Sequence, residues 1–365
     1  MWTNNLIRCP RGWCAGFAAA GLLLICAAAR AVTPADADAI FADYHKAFYF
    51  TNASGGYYHA TTEGGKTFFW DRAEQLEMIL DAYERTTNTA YLGIFTNVFN
   101  GFVADHGRTW EKNDFNDDIM WMVIACARAH QFTGNPVFRE LARTNFDLCF
   151  ARAWSTNLGG GLWWKTANQS KNACVNGPGA IAAYLLYQIG GDTNDLAKSR
   201  RMFEWERAHL FDSETGQVFD NLNTNGWIGD KAFTYNEGTF IGAANFLGAT
   251  NDARLAADYT RDYLCQDGIL PGYGQDGDVA GFNGIFIRWA VKYMKQRHVL
   301  PAYEPWLQAN ANAAWRCRRP ADGLAWSRWA QPTPAGPLYA WACSSAVVIL
   351  QAVPSALGES DGKIR

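Results

Sequence analysis

From residue 32 onward the chain alternates apolar blocks with short polar breaks. Spacing of three and four residues between apolar positions predicts helices near 34–48, 70–86, 89–104, 117–132, 136–150 and 174–189. The same pattern predicts six more near 195–209, 236–248, 252–264, 279–297, 301–316 and 340–352. Many breaks share one signature, a small residue, Asn or Asp, then a new block: Thr86-Thr87-Asn88, Thr133-Gly134-Asn135, Gly191-Asp192-Thr193-Asn194 and Ala249-Thr250-Asn251. They recur roughly every 47 to 60 residues, the length of two helices and their connections. Longer Gly- and Trp-rich connections, such as Ser155 to Lys171 and Asp212 to Thr234, lie between them. Six helical hairpins set in a ring make an all-α double toroid. The even-numbered blocks fall inside: 171–191 and 235–249 are rich in Ala and Gly, which permit close packing. The odd-numbered blocks, such as 197–210 and 252–264, carry the charge and fall outside.

One inner block is unusual. Asn116-Asp117-Asp118 opens it, and from Ile119 to Ala129 the only charge is Arg128. A helix apolar all round is buried in protein, and this one is far short of the roughly 20 residues that span a bilayer. Two adjacent carboxylates therefore stand at the mouth of a buried helix. Asp and Asn at a helix start are ordinarily caps, so capping and chemistry compete. The other inner helices weigh on the choice. They begin with Trp70-Asp71, Lys171-Asn172 with Asn176, Tyr235-Asn236-Glu237, and Phe282-Asn283. In a closed ring these starts converge on one cleft, and capping has no need of Trp, Tyr and paired amides beside it. The reading is that Asp117 and Asp118 are catalytic. Trp70, Asp71, Asn172, Asn176, Tyr235, Asn236, Glu237, Phe282 and Asn283 are candidates for binding substrate. For Asn172, Asn176 and Asn236 the choice is between hydroxyls of a ligand and capping. For Tyr235 and for Trp163 or Trp164 it is between walling the cleft and packing the core.

Composition narrows the ligand. The 365 residues are 49% hydrophobic and 15% aromatic, with a net charge of −3 that leaves no footprint for nucleic acid. Sixteen Trp and fifteen Tyr suit a ligand with apolar C–H faces edged by hydroxyls, which describes a sugar. No metal or cofactor is called for. The six His are scattered, Asp276-Gly277-Asp278 lacks the ligand spacing of an EF-hand, and Gly159-Gly160-Gly161 lacks the Lys-Ser/Thr of a phosphate loop. Arg8 and Arg11, the apolar run from Gly16 to Ala29, and Ala29-Arg30-Ala31 predict a signal peptide over 1–31 and a mature start at Val32. Residues 32–365 are then expected to be one catalytic domain, secreted or periplasmic and monomeric, with no membrane span. Three cysteines leave with the leader. The other six show no CxxC spacing, and Cys126 and Cys174 read as small buried hydrophobes.

Four stretches resemble glycoside hydrolase family 76: NDDIMWMVIACARAHQFTGN, GGGLWWKTANQSKNACVNGPGAIAAYLLYQIGGD, FTYNEGTFIGAANFLGATND and GFNGIFIRW. They stand in the family's order within residues 70 to 350. The family comprises bacterial endo-α-1,6-mannanases and fungal cell-wall relatives regarded as transglycosidases. The resemblance implies an (α/α)6 barrel and a retaining reaction on α-mannan, with Asp117 as nucleophile and Asp118 as general acid/base. Glu237 stands where the family often has Gln, and Asn283 where it often has Lys, so the subsites are expected to differ. Adjacency itself favours retention. Consecutive Cα atoms are about 3.8 Å apart, which suits the roughly 5–5.5 Å carboxyl separation of retaining enzymes better than the longer inverting one. Two alternatives share the motifs: a transglycosidase acting on α-mannan or glycan-anchor sugars, and a glycan-binding protein without activity.

Overall fold

Two kinds of helix alternate along the chain, as the composition of the blocks requires. The structure, a computed structural model, describes residues 31–275 and 277–353. The expected signal peptide, Ala31 apart, lies outside them. The helices are α1 (Pro34–Phe48), α2 (Phe69–Thr86), α3 (Ala90–His106), α4 (Asn116–Thr133), α5 (Pro136–Ala153) and α6 (Ala173–Gly190). They continue with α7 (Thr193–His209), α8 (Thr234–Leu247), α9 (Thr250–Tyr259), α10 (Phe282–Gln296), α11 (Leu300–Arg316) and α12 (Ala340–Ala352). A single π-turn, Thr260–Leu264, extends α9 to the end expected of that block.

The even-numbered helices form the inner ring. Each packs on the next, and α12 closes the circle against α2. The odd-numbered helices lie outside, each against one or both of the inner helices that flank it. Burial follows the composition. Every residue of α4 from Ile119 to Ala129 is buried, whereas α7 buries only a stripe through Ser199, Met202, Phe203 and Glu206. This is an (α/α)6 barrel. Small residues set the inner spacing: a Cβ on Gly238 of α8 would stand 2.5 Å from the Phe286 Cα of α10. Any larger residue there would push the two helices apart.

A polar plug fills the barrel below the helix starts. Arg128 of α4 donates to Glu77 (2.8 Å), Asp81 (3.0 Å) and Glu84 (2.8 Å), all on α2. Arg288 reaches the same helix from α10, at Glu74 (2.6 Å) and Asp81 (2.8 Å). The carboxyls sit three and four residues apart on one face of α2, so two guanidiniums bind the helix from different places in the ring.

Two small antiparallel sheets decorate the barrel, and the helical periodicity gave no sign of them. One is β1 (Tyr49–Asn52), β2 (Gly55–Thr61) and β3 (Gly64–Lys66). The other joins the two long connections: β4 (Ser170–Asn172) pairs with β5 (Asn221–Asn223), which pairs with β6 (Ile228–Gly229). Its register sets Asn172 opposite Asn221, just before α6 begins. No helix among the described residues is long and apolar enough to cross a membrane, and the six cysteines there are free thiols.

Candidate active site

The inner helices as a set bear on the capping question. Their N-caps are Phe68, Phe115, Asn172, Phe233, Gly281 and Tyr339, and none caps through its side chain. Ordinary caps are used outside, by Thr33 on α1, Asn135 on α5 and Asp192 on α7. Asp117 and Asp118 stand in the first turn of α4, one and two residues inside Asn116, and neither is its N-cap.

A cavity of about 810 Å³ opens above the inner-helix starts, within the range that encloses most of a bound small ligand. Phe68, Trp70, Phe115, Trp121, Trp164, Phe233, Tyr235 and Phe282 supply aromatic walls, and Asn113, Asp117, Asp118, Asn172, Asp220, Asn221 and Asp278 the polar groups. Phe68 is 72% exposed and marks the rim. Tyr235 stacks on Phe282 with centroids 3.7 Å apart, and Trp341 of α12 backs Trp70 edge-on at 4.6 Å.

The acid pair has unlike neighbours. Asp117 Oδ2 accepts the Cys174 S–H at 3.4 Å, and the Trp164 ring N–H also favours its charged form. Asp118 Oδ2 accepts from Asn113 Nδ2 at 2.9 Å, while the negative charge of Asp278 disfavours its ionised form. Burial is the main force on both and pushes both upward. Asp118 is raised to about 6, and Asp117 is raised well above its usual range by burial and then by Asp118. Groups so close share their protons, and the pair titrates as a unit. Asp71, behind them, is pushed up to about 7 by burial, with Asp278, Asp118 and Glu74 adding to the rise.

The chain fixes this geometry through loop anchors. Asn116 donates to the Trp163 carbonyl (2.8 Å), and its own N–H to the Trp164 carbonyl (2.8 Å), tying the 155–172 connection to α4. Arg152 of α5 donates to Asn116 Oδ1 (2.7 Å) and to the Asn113 carbonyl (2.6 Å), which sets Asn113 beside Asp118. The Gly-rich turn has a role as well. Lys171 sends its ammonium into the carbonyls of Asn157 (2.7 Å) and Gly161 (3.0 Å) and onto Ser155. Burial pushes that amine down to about 8.

Of the residues proposed from sequence, Trp70, Asp117, Asp118, Asn172, Tyr235 and Phe282 line the cavity. Trp164 does too, whereas Trp163 is buried under Lys171. The other five do not line it, and their placement as substrate contacts is corrected. Asn176 bonds the backbone of Leu162 in both directions (2.7 and 3.2 Å). Asn283 joins Thr234 (2.9 Å) to the Pro271 carbonyl (2.9 Å), and Glu237 accepts the Val218 N–H (2.9 Å). Asn236 donates to Asp220 Oδ1 (3.0 Å), and Asp71 is buried beneath the pair. The physical reason is common to most of them. A long connection crossing the mouth of a barrel leaves peptide groups that need partners, and amides on the first helical turns supply them. The sequence reading passed over Asp220, Asn221, Asn113 and Asp278. Only Asn236, an amide with a carboxylate to hold, hinted at Asp220.

The comparisons agree with this geometry. The α-1,6-mannanase of Salegentibacter sp. HEL1_6 is 30% identical, with a TM-score of 0.80 over 87% of this chain and 98% of that one. An inactive variant of that enzyme, two consecutive aspartates replaced by asparagine, was solved in complex with α-1,6-mannotriose. It matches with 29% identity and a TM-score of 0.81 over the same shares. The Lin0763 protein from Listeria innocua is 25% identical, with a TM-score of 0.79 over 87% of this chain and 96% of that one. None of the curated proteins matches. The profile of glycosyl hydrolase family 76 matches residues 33–355, nearly the whole of the described barrel, and the chain belongs to that family of glycoside hydrolases.

Proposed function

We propose that this glycoside hydrolase cleaves α-1,6-mannosidic linkages within mannan, outside the cytoplasm, by a retaining double displacement. The observation that carries the reading is the pair of adjacent carboxyls at the head of α4, both lining the cavity and each held by its own donor, Cys174 at Asp117 and Asn113 at Asp118. Burial raises both, so the pair keeps a proton to give, and the division of roles is the one that the family resemblance implies. Asp117 attacks the anomeric carbon as Asp118 gives its proton to the departing oxygen, leaving a mannosyl ester on Asp117. Asp118, now a base, takes a proton from water, which attacks the same carbon and frees Asp117. The two inversions give net retention. The mannanase of Salegentibacter, inactive without its consecutive aspartates and able to bind α-1,6-mannotriose, supports both the pair and the substrate.

Incubation with linkage-defined α-mannans, reading product size and anomeric configuration, tests the reaction. Oligosaccharides of retained configuration from α-1,6-mannan are expected; release of monosaccharide alone, or inverted product, overturns it. The roles separate with an activated aryl mannoside. Asp118→Asn is expected to stall after glycosylation and to be rescued by azide with retained configuration, while Asp117→Asn stays inactive. Azide rescue of Asp117→Asn with inversion would exchange the assignments. Export rests on residues 1–31, and N-terminal sequencing of exported protein is expected to begin at Val32.

A further inference from the structure

Cys174 occupies the first turn of α6, 3% exposed, and lines the cavity between two groups of the site. Its S–H donates to Asp117 Oδ2 at 3.4 Å, and the Tyr235 hydroxyl lies close to its sulfur. The other carboxylate oxygen, Asp117 Oδ1, is shielded from solvent and has no hydrogen-bond partner. A hydrogen bond to one oxygen fixes the plane of the whole carboxylate.

We propose that Cys174 is a positioning residue, its S–H tethering Asp117 Oδ2 and fixing the plane in which that carboxylate meets the anomeric carbon. This rests on Asp117 being the nucleophile. The thiol is suited to the task. Burial, with the charge of Asp117 beside it, raises its pKa well above the ordinary value, so it stays a donor and does not become a rival nucleophile. A thiol is also a weak donor. It orients the carboxylate without lowering its nucleophilicity as far as an ammonium would.

The test compares Cys174→Ala with Cys174→Ser, which are smaller than cysteine to a similar degree but differ in having a donor. With an activated aryl α-1,6-mannobioside, the alanine variant is expected to lose about three- to tenfold in kcat/KM. The acid limb of its pH profile moves upward, because a carboxylate that has lost a donor takes its proton at higher pH. Binding of mannotriose is unchanged, and serine restores most of the rate and returns the limb. Equal behaviour of alanine and serine, or an unmoved acid limb in the alanine variant, overturns the proposal. Asp117→Asn is assayed beside them. If it is active, the nucleophile reading falls and this inference with it; if it is inactive while alanine and serine agree, only the tether falls.

Discussion

Glu206 of α7 and Glu237 of α8 are fully buried, and no ion pair among the described residues reaches either. Both oxygens of Glu206 and Oε2 of Glu237 lack hydrogen-bond partners, while Glu237 Oε1 holds the Val218 N–H that leads to Asp220. Their surroundings are Gly177 and Thr239, with Tyr259 and Tyr273 sensing the charge of Glu237. Burial drives both carboxyls well above the ordinary 4.5, and Glu206 adds to the rise at Glu237. The folded state therefore holds protons that the unfolded chain has released, and stability falls as pH rises above the ordinary value. Each such group contributes a slope of at most about 1.4 kcal/mol per pH unit, over the range in which the folded carboxyl keeps its proton and the unfolded one has lost it. An unfolding entropy of about 2.1 cal/mol/K per residue gives a barrel of this size about 0.7 kcal/mol/K, so one full slope is at most about 2 °C of Tm per pH unit. Glu206→Gln is neutral in both states and removes one slope. Its Tm is expected to fall less steeply than that of wild type as pH rises above the ordinary carboxyl range, and that of the double variant with Glu237→Gln less steeply again. Calorimetry across that range reads the slope, while the offset at pH 6 carries any change in packing. Parallel curves for wild type and variants would refute the protonated pair.

The other perturbations act on the pair and on the plug. Asp278→Asn removes a negative charge that helps hold Asp118 up at about 6. A general acid works protonated, so the alkaline limb of kcat/KM is expected to move to lower pH; an unmoved limb would remove Asp278 from the site's electrostatics. Arg128→Met takes from Glu77 its hydrogen-bonding cation and leaves Asp81 to Arg288 alone, and is expected to cost about 3–5 kcal/mol in urea titration, whereas a loss below about 1 kcal/mol would show that the plug tolerates the missing cation.

The helices were legible because burial imposes a period on the sequence, and the inner set stood out by its Ala and Gly. The acid pair was legible because charge at the head of an apolar run has few bland explanations. The amides were less transparent. Asn172, the N-cap of α6, and Asn176 in its first turn stand four residues apart, yet one lines the cavity and the other grips Leu162. Sequence gives the amide but not the peptide group that needs it. Asp220 and Asn221 were hidden for a different reason. They sit in a connection without periodicity, and they gain their place only when three-residue strands pair across some fifty residues, Ser170 with Asn223 and Asn172 with Asn221. Strands that short leave no pattern to read.

The closure of the ring bears on how the molecule is made. Gln351 of α12 donates to the Ala37 carbonyl of α1 at 2.7 Å, across 314 positions of chain, and takes a hydrogen bond from Arg85 of α2. Arg288 likewise belongs to the fifth hairpin, while the carboxylates it satisfies belong to the first. During synthesis, α2 emerges with its acids long before that partner exists, and Asp117 and Asp118 emerge before three of the helices that wall them in. Contacts so distant in sequence form late. A half-made barrel thus has its two aspartates but not the enclosure that tunes them, and competence at the cleft arrives only when the last helix docks on the first.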